Sequence, residues 1–297
     1  MERHKSYNTV FISTFIDRKN IDHLIRTALD NNQTLSILFI IVNQTKSELI
    51  LPSSTHIDFL QINTERLSLS KARNIGINYL LKNEINFEHI MFPDDDTTFS
   101  NVFFDRYKDY INSDENYLID VYCFRSSNLF KPVKYVEGEF LNRRNFEAAM
   151  SVNMIINYKT FVQVGIFDER LGVGAKYGAG EDADYYIRAC DFSHHRFIYI
   201  KTLFNFHPSS SNKFSKMKLK QIINKYTTYG NGAIFMLCKH KMYFEAFKIC
   251  FRAIGGVIVA LCKLNFKLFI AYGFAFFSRL SMFVKCIIYS KRLFKHA

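Results

Sequence analysis

H-I-M-F-P-D-D-D-T-T-F-S, residues 89–100, is the stretch from which this chain is best read. Ile90, Met91 and Phe92 have the apolar character of a short buried strand, and three carboxylates follow at once, Asp94, Asp95 and Asp96. Side chains alternate along a strand, so Asp94 and Asp96 are expected on one side and Asp95 on the other. Three like charges at a strand end repel one another unless a cation or polar ligand sits among them. A hard divalent ion prefers such oxygen ligands, and Mg²⁺ is typically held by one or two carboxylates plus substrate phosphates. A solvated acidic turn would carry the same three residues. A second acidic pair, Glu181-Asp182, in a glycine-rich setting far downstream, favours the ligand-binding reading.

Outward from this stretch, strands and helices alternate. Tyr7 to Ile16 is β-branched and aromatic, a buried first strand. The apolar residues Ile21, Leu24, Ile25, Ala28 and Leu29 have helical spacing within Asp17 to Asp30. Leu35 to Val42 is an almost unbroken apolar run, as in a parallel strand covered on both faces. His56 to Ile62 predicts a third strand, and Leu69 to Leu81 a helix entered through Ser68 or Ser70. This alternation predicts an α/β sheet with its crevice at the carboxyl ends of the strands. Further on, the pattern predicts a helix over Phe99 to Asn112, strands over Tyr117 to Arg125, Met150 to Ile156 and Phe197 to Phe206, and helices over Tyr158 to Val164 and Glu181 to Cys190. Lys131 to Phe146 has no clear period and reads as a substrate loop. The glycines between Gly165 and Gly180 make their segment flexible or let backbone approach a ligand closely.

The net charge of +12 would suit nucleic acid, but its distribution does not. Residues 1–212 carry 23 Lys+Arg against 26 Asp+Glu; residues 213–297 carry 16 against 1. A near-neutral body, residues 1–212, is therefore followed by a basic, aromatic and apolar region, residues 213–297. Such a region suits an anionic membrane surface, where each Lys or Arg contributes about 1 kcal/mol. Phe214 to Tyr229 reads as a basic helix. Lys241, Glu245, Lys248, Arg252, Lys263 and Lys267 fall on one stripe if Lys241 to Lys267 is a single helix. The uncharged runs Ala253 to Cys262 and Leu268 to Ser278 are shorter than the ~20 residues of a bilayer span. They are expected to lie in the membrane plane, with packing on the body as the alternative. The six cysteines include no C-x-x-C pair, and the N-terminus shows no apolar signal-peptide core. A cytoplasmic protein with reduced thiols, peripheral on the inner face of the cell membrane, is expected.

Transfer of a group from a nucleoside diphosphate needs a cation at the leaving phosphates, a grip on base and ribose, and a base for the incoming hydroxyl. Four stretches, in this order, carry a resemblance to family 2 glycosyltransferases of the bacterial surface-polysaccharide type. S-K-A-R-N-I-G-I (Ser70 to Ile77) is similar to that family's A-R-N-x-G helix, and M-F-P-D-D-D (Met91 to Asp96) to its D-x-D strand end. V-G-I-F-D-E-R-L-G (Val164 to Gly172) is similar to its G-x-F-D-E segment, and G-E-D-A-D-Y-Y-I-R (Gly180 to Arg188) to its E-D motif. The resemblance covers about Tyr7 to His207. It implies a GT-A fold, a Rossmann-like nucleotide-diphospho-sugar transferase sheet, and an inverting displacement. By it, Asp94 and Asp95 contact ribose and phosphates, Arg73 sits by the diphosphate or base, and Asp96 holds Mg²⁺ or Mn²⁺. Asp182 is the general base, Glu181 supports it or orients the acceptor, and His207 joins the metal or diphosphate.

Thr14 and Asn43 stand at the strand ends that would border the donor. The family's P-T-Y-N is S-T-F-I here (Ser13 to Ile16), and its Asp on the second strand is Asn43. An amide can still pair with a pyrimidine edge, so a UDP-sugar is favoured without being fixed. The expected partners are that donor, a glycan or lipid-linked acceptor, and a membrane surface, with no nucleic acid. The function so implied is sugar transfer in capsule- or O-antigen-like surface polysaccharide synthesis. A nucleotidyltransferase on a similar sheet would usually show an N-terminal glycine-rich phosphate loop, and Thr14 to Asn20 has no glycine. An inactive, membrane-binding GT-A-like protein is the other alternative.

Overall fold

A computed structural model of the chain describes residues 5–123, 134–192, 197–208 and 217–294. It separates into two units, Met1–Phe167 with Tyr185–Ser209, and Asp168–Asp184 with Ser210–Ala297. Residues 168–184, part of the body in the sequence reading, thus cluster with the C-terminal helices.

The first unit is built on a mixed sheet with the strand order β3-β2-β1-β4-β8-β6-β9-β5 among the described residues, and β7 beside β9. Its strands are β1 Ser6–Phe15, β2 Ile37–Asn43, β3 Ile57–Asn63, β4 Asn86–Met91, β5 Thr98–Phe99, β6 Asn116–Cys123, β7 Phe140–Leu141, β8 Met154–Asn157 and β9 Phe197–His207. The first four are parallel. β2 is buried along its whole length, as its unbroken apolar run requires. The register pairs Phe15 with Asn43 and Phe11 with Met91, so Thr14, Asn43 and the residues after Met91 all emerge at one carboxyl edge. β8 then runs antiparallel to β4 and β6, which makes the sheet mixed.

Four helices flank these strands: α1 Arg18–Asn31, α2 Leu69–Lys82, α3 Phe103–Tyr107 and α4 Tyr158–Val164. Asp17 caps α1 by accepting from the Lys19 N–H at 3.3 Å. Ser68 precedes α2 as expected, but its hydroxyl makes no cap bond. Packing sets the position of α2: a Cβ on Gly76 would lie 2.8 Å from Ile12 Cγ2 of β1, so only glycine permits this approach. The helix expected over Phe99 to Asn112 is only Phe103–Tyr107. Phe99 is taken instead by β5, stacked 5.0 Å from Phe11 in a phenylalanine-rich core with Phe103 and Phe104. Residues 131–133 of the expected substrate loop lie outside the described residues; the remainder forms β7 and a 3₁₀ turn, Arg143–Ala148.

α5, Glu181–Phe192, begins in the second unit and ends in the first. The second unit is otherwise helical: α6 Leu219–Lys239, α7 Tyr243–Cys262, α8 Phe266–Ile288 and the short α9 Ser290–Leu293. Among the described residues the expected basic helix is Leu219–Lys239, and residues 209–216, with Lys213 and Lys216, lie outside them. The single helix drawn from Lys241 to Lys267 is two. Leu264 adopts φ +51° between them, and Asn265 caps α8 by accepting from the Leu268 N–H at 3.1 Å. The basic stripe is therefore interrupted. α8 is nevertheless long and apolar enough to cross a membrane by length and composition, because Arg279 and Lys285 interrupt the uncharged run without ending the helix. The helices pack closely: a Cβ on Gly230 would meet Arg279 Nε at 2.2 Å, and Arg279 donates to the Ile249 carbonyl at 3.1 Å.

The glycine-rich segment also lies against a helix. A Cβ on Gly232 of α6 would fall 2.2 Å from the Ala179 carbonyl oxygen, and Gly180 takes φ +101° opposite Gly232. The close backbone approach expected from its glycines is thus an approach to α6.

Candidate functional site

Pro93 has no N–H for a ladder, and β4 ends at Met91. The three aspartates therefore occupy a turn, closed by the Thr97 N–H donating to the Asp94 carbonyl at 3.0 Å. β5 follows immediately and pairs antiparallel with β9, Thr98 opposite Phe206. That pairing carries His207, the last residue of β9, to the turn. His207 Nε2 stands 3.0 Å from Asp96 Oδ1 and 3.5 Å from Asp94 Oδ2. One ligand atom from each of Asp94, Asp96 and His207 lies within 4.8 Å of the others. Asp94 and Asp96 thus share His207, although they stand in a turn and not on the strand.

Arg73 supports this cluster from α2. It is 1% exposed, and its Nη2 donates to Asp94 Oδ1 and Ser151 Oγ, each at 2.7 Å. The guanidinium also lies 5.3 Å from the centre of the Phe167 ring. The next residue, Asn74, exchanges two hydrogen bonds with the Phe167 backbone, at 3.0 and 2.8 Å. The R-N pair thus ties the aspartate turn to the G-I-F segment through one helical turn. Phe167 packs against Tyr185, the ring centres 4.5 Å apart and the planes tilted by 36°.

The electrostatics follow from these contacts. Burial alone would raise the Asp94 carboxyl, but the His207 hydrogen bond and the Arg73 charge outweigh it and hold the carboxyl below its usual range. Burial likewise pulls His207 down, while Asp94 and Asp96 together overcome this and raise it to about 10. Two carboxylates and an imidazole on one small volume form a donor set for a hard or borderline divalent cation, and the imidazole suits Mn²⁺ better than Mg²⁺.

The other residues singled out in the sequence are placed as follows. Thr14 Oγ1 accepts from Gln44 Nε2 at 2.7 Å. Asn43 is buried, and both ends of its carboxamide are engaged in its own loop: Nδ2 donates to the Ser47 carbonyl, and Oδ1 accepts from the Thr45 N–H and hydroxyl, all at 2.8 Å. Glu181 and Asp182 open the first turn of α5, where the helix N-terminus favours negative charge. Both belong to the second unit.

Ser151 and a buried charge cluster in the second unit were missed. Asp184 is 0% exposed and pairs with Lys239 Nζ at 2.7 Å and His240 Nε2 at 2.9 Å. Lys239 also reaches Asp168 at 2.9 Å, and Arg170 grips the same carboxylate at 2.6 and 2.8 Å. Burial would raise Asp168, but Arg170 and Lys239 outweigh it and lower it to about 2. The only sequence signal for this cluster was the D-E-R run of the G-x-F-D-E segment.

A parallel strand set with a helix-supported acidic turn at its carboxyl edge defines a GT-A fold. Comparison with solved structures agrees. A crystal structure of Staphylococcus aureus TarS residues 1–349 superposes with a TM-score of 0.54 at 11% identity, covering 94% of this chain and 91% of that one. The same fragment in complex with UDP gives 0.52 at 12% identity over the same shares. In complex with UDP-GlcNAc it gives 0.52 at 12%, covering 75% and 65%. Against a longer TarS chain the match covers 73% of this chain and 38% of that one. At these identities the likeness is one of fold. No family model matches the chain, and no curated protein matches it in sequence.

Proposed function

We propose that the chain is a divalent-cation-dependent glycosyltransferase. It would move a sugar from a nucleoside-diphosphate donor, a UDP-sugar by preference, to a hydroxyl of a glycan or lipid-linked acceptor, with inversion. The observation that carries this is the Asp94–Asp96–His207 cluster at the carboxyl edge of a GT-A sheet, backed by the buried Arg73. The TarS complexes with UDP and UDP-GlcNAc support a nucleotide sugar as donor.

Asp94, Asp96 and His207 would hold Mg²⁺ or Mn²⁺, which neutralises charge on the leaving diphosphate. Arg73 fixes Asp94 in position and adds positive charge beside it. Asp95 faces away from the paired carboxylates in this scheme and contacts ribose or phosphate. Thr14 and Asn43 border the donor, Asn43 also shaping the loop at that edge through Ser47 and Thr45. Asp182 removes the acceptor hydroxyl proton, with Glu181 orienting the acceptor. The domain division proposed is catalytic residues 1–212 and a membrane-associating region 213–297, to which residues 168–184 attach.

Peripheral placement on the cytoplasmic face of a membrane is part of the proposal. It is supported by the basic charge of the C-terminal region and by exposed Phe244, Phe274, Phe277 and Ile288 on its helices. The product would be a surface polysaccharide. The test is a screen of radiolabelled nucleotide sugars for hydrolysis and transfer, with Mn²⁺ and with EDTA. Donor turnover that requires the cation, with the product anomer inverted by NMR, is expected. Full activity in EDTA would remove the metal from the scheme.

A further inference from the structure

A cleft of about 790 Å³ opens within the second unit, between α6, α8, α9 and the segment carrying Arg170 and Lys176. Its volume falls in the range of small-molecule sites, roughly 300–1,000 Å³. Among the described residues four cations line it, Arg170, Lys176, Lys285 and Arg292, and no carboxylate does. Arg170 is held rigidly: besides Asp168 it donates to the Leu293 carbonyl at 2.9 Å and lies 4.9 Å from the Phe235 ring centre. Lys176, Lys285 and Arg292 form no ion pair among the described residues. Part of the lining is apolar, the buried Phe235 and Met282.

Several like charges around one cleft repel each other, and a multivalent anion among them removes that cost. A fixed guanidinium offers planar hydrogen bonding to phosphate, while lysines act as movable point charges. The apolar part of the lining suits the carbon portion of such a ligand. We propose that this cleft binds a phosphate ester, the phosphate among Lys176, Lys285 and Arg292 and its organic portion over Phe235 and Met282. The site is independent of the transferase reading, since it shares no residue with the aspartate turn. The same phosphate chemistry is offered by a phospholipid headgroup or by a soluble phosphoester.

The test uses the full chain and its Lys285→Ala/Arg292→Ala variant, whose altered side chains are exposed and leave the helix packing in place. Circular dichroism checks the fold. Calorimetry with glycerol 1-phosphate reads the soluble source. Co-sedimentation with phosphatidylglycerol vesicles against phosphatidylcholine vesicles reads the lipid source. Binding of either phosphate probe, weakened at least tenfold in the variant, supports the site, and which probe binds tells the source. Lys176→Ala, on a different element, should weaken the same probe. The proposal is overturned if the parent binds neither probe, or if the folded variant binds as the parent does.

Discussion

Arg73 Nη2 and Asp94 Oδ1 are 2.7 Å apart, joining a fully buried helix residue to the turn that carries the cation cluster. The Asp94 side chain is 34% exposed, so water can partly replace a lost partner there, whereas Ser151 and the buried end of Arg73 have no such recourse. Arg73→Ala should therefore cost about 1–3 kcal/mol of stability, less than the 3–5 of a fully buried pair. Arg73→Lys should keep more of the stability yet lose donor affinity, because a single ammonium does not reproduce the guanidinium fork. Chemical denaturation beside nucleotide calorimetry separates the two effects. Equal losses in both variants on both measurements would contradict this assignment.

Asp96→Asn and Asp182→Asn should fail differently. The first removes a charged donor from the cluster and should lower affinity for nucleotide and Mn²⁺ together. The second should keep that affinity and lose turnover roughly 10²–10⁴-fold, the contribution of a positioned general base. If Asp182→Asn turns over within a few-fold of the parent, the base is another residue, with Glu181 the first to test.

His89 predicts acid sensitivity of the first unit. Its Nε2 donates to the Glu115 carbonyl at 3.2 Å, and burial lowers it to about 4. A histidine depressed in the folded state stabilises the fold fully above its unfolded pKa of 6.5. That contribution is lost as pH falls from 6.5 towards 4, reaching about 3 kcal/mol. His89→Phe should flatten this part of the stability–pH profile, whatever it does to the baseline. An unchanged slope would show that His89 is not the group responsible.

Asp168 predicts a later acid step in the second unit. Its folded pKa is depressed by Arg170 and Lys239, so its contribution is present above the unfolded value of 3.8 and fades as pH falls towards about 2. The side chain is 10% exposed, so a contribution of about 2 kcal/mol at neutral pH is expected. Asp168→Asn should lower neutral-pH stability by that order and remove the slope between pH 4 and 2. Thermal melts across this range provide the measurement.

Phe274 and Phe277 are 56% and 70% exposed on α8. A double change to serine should leave the helix packing intact and reduce partition onto anionic vesicles by at least tenfold, since burying one such side chain is worth about 1.5–3 kcal/mol. Partition equal to that of the parent would show that this face does not enter the interface.

How much of this was legible in the sequence differs by element. The parallel strands were visible because burial on both faces demands unbroken apolar runs, as in Ile37–Val42. Helices with one apolar stripe, such as Arg18–Asn31, were equally plain. The local motifs A-R-N-x-G and D-D-D marked residues that do meet in space. That Asn43 also ties its own loop through Ser47 and Thr45 was not legible, because a side-chain amide bonds to nearby backbone without any periodic signal. The break at Leu264 was hidden, since Lys263 and Lys267 fit one continuous basic stripe and Asn265, which caps the next helix, passes for one more polar residue in it.

By itself, then, the sequence determined the parallel half of the sheet, the acidic turn after β4 and the basic, apolar character of the C-terminal region, all of which rest on local pattern and composition. The tertiary structure decided that His207, expected at the metal only by resemblance, meets Asp96, that Ser151 shares Arg73 with Asp94, and that Lys239 and His240 meet the buried Asp184. Those contacts depend on strand order, register and helix packing. These are set by how distant apolar surfaces bury one another, and no spacing along the chain encodes them.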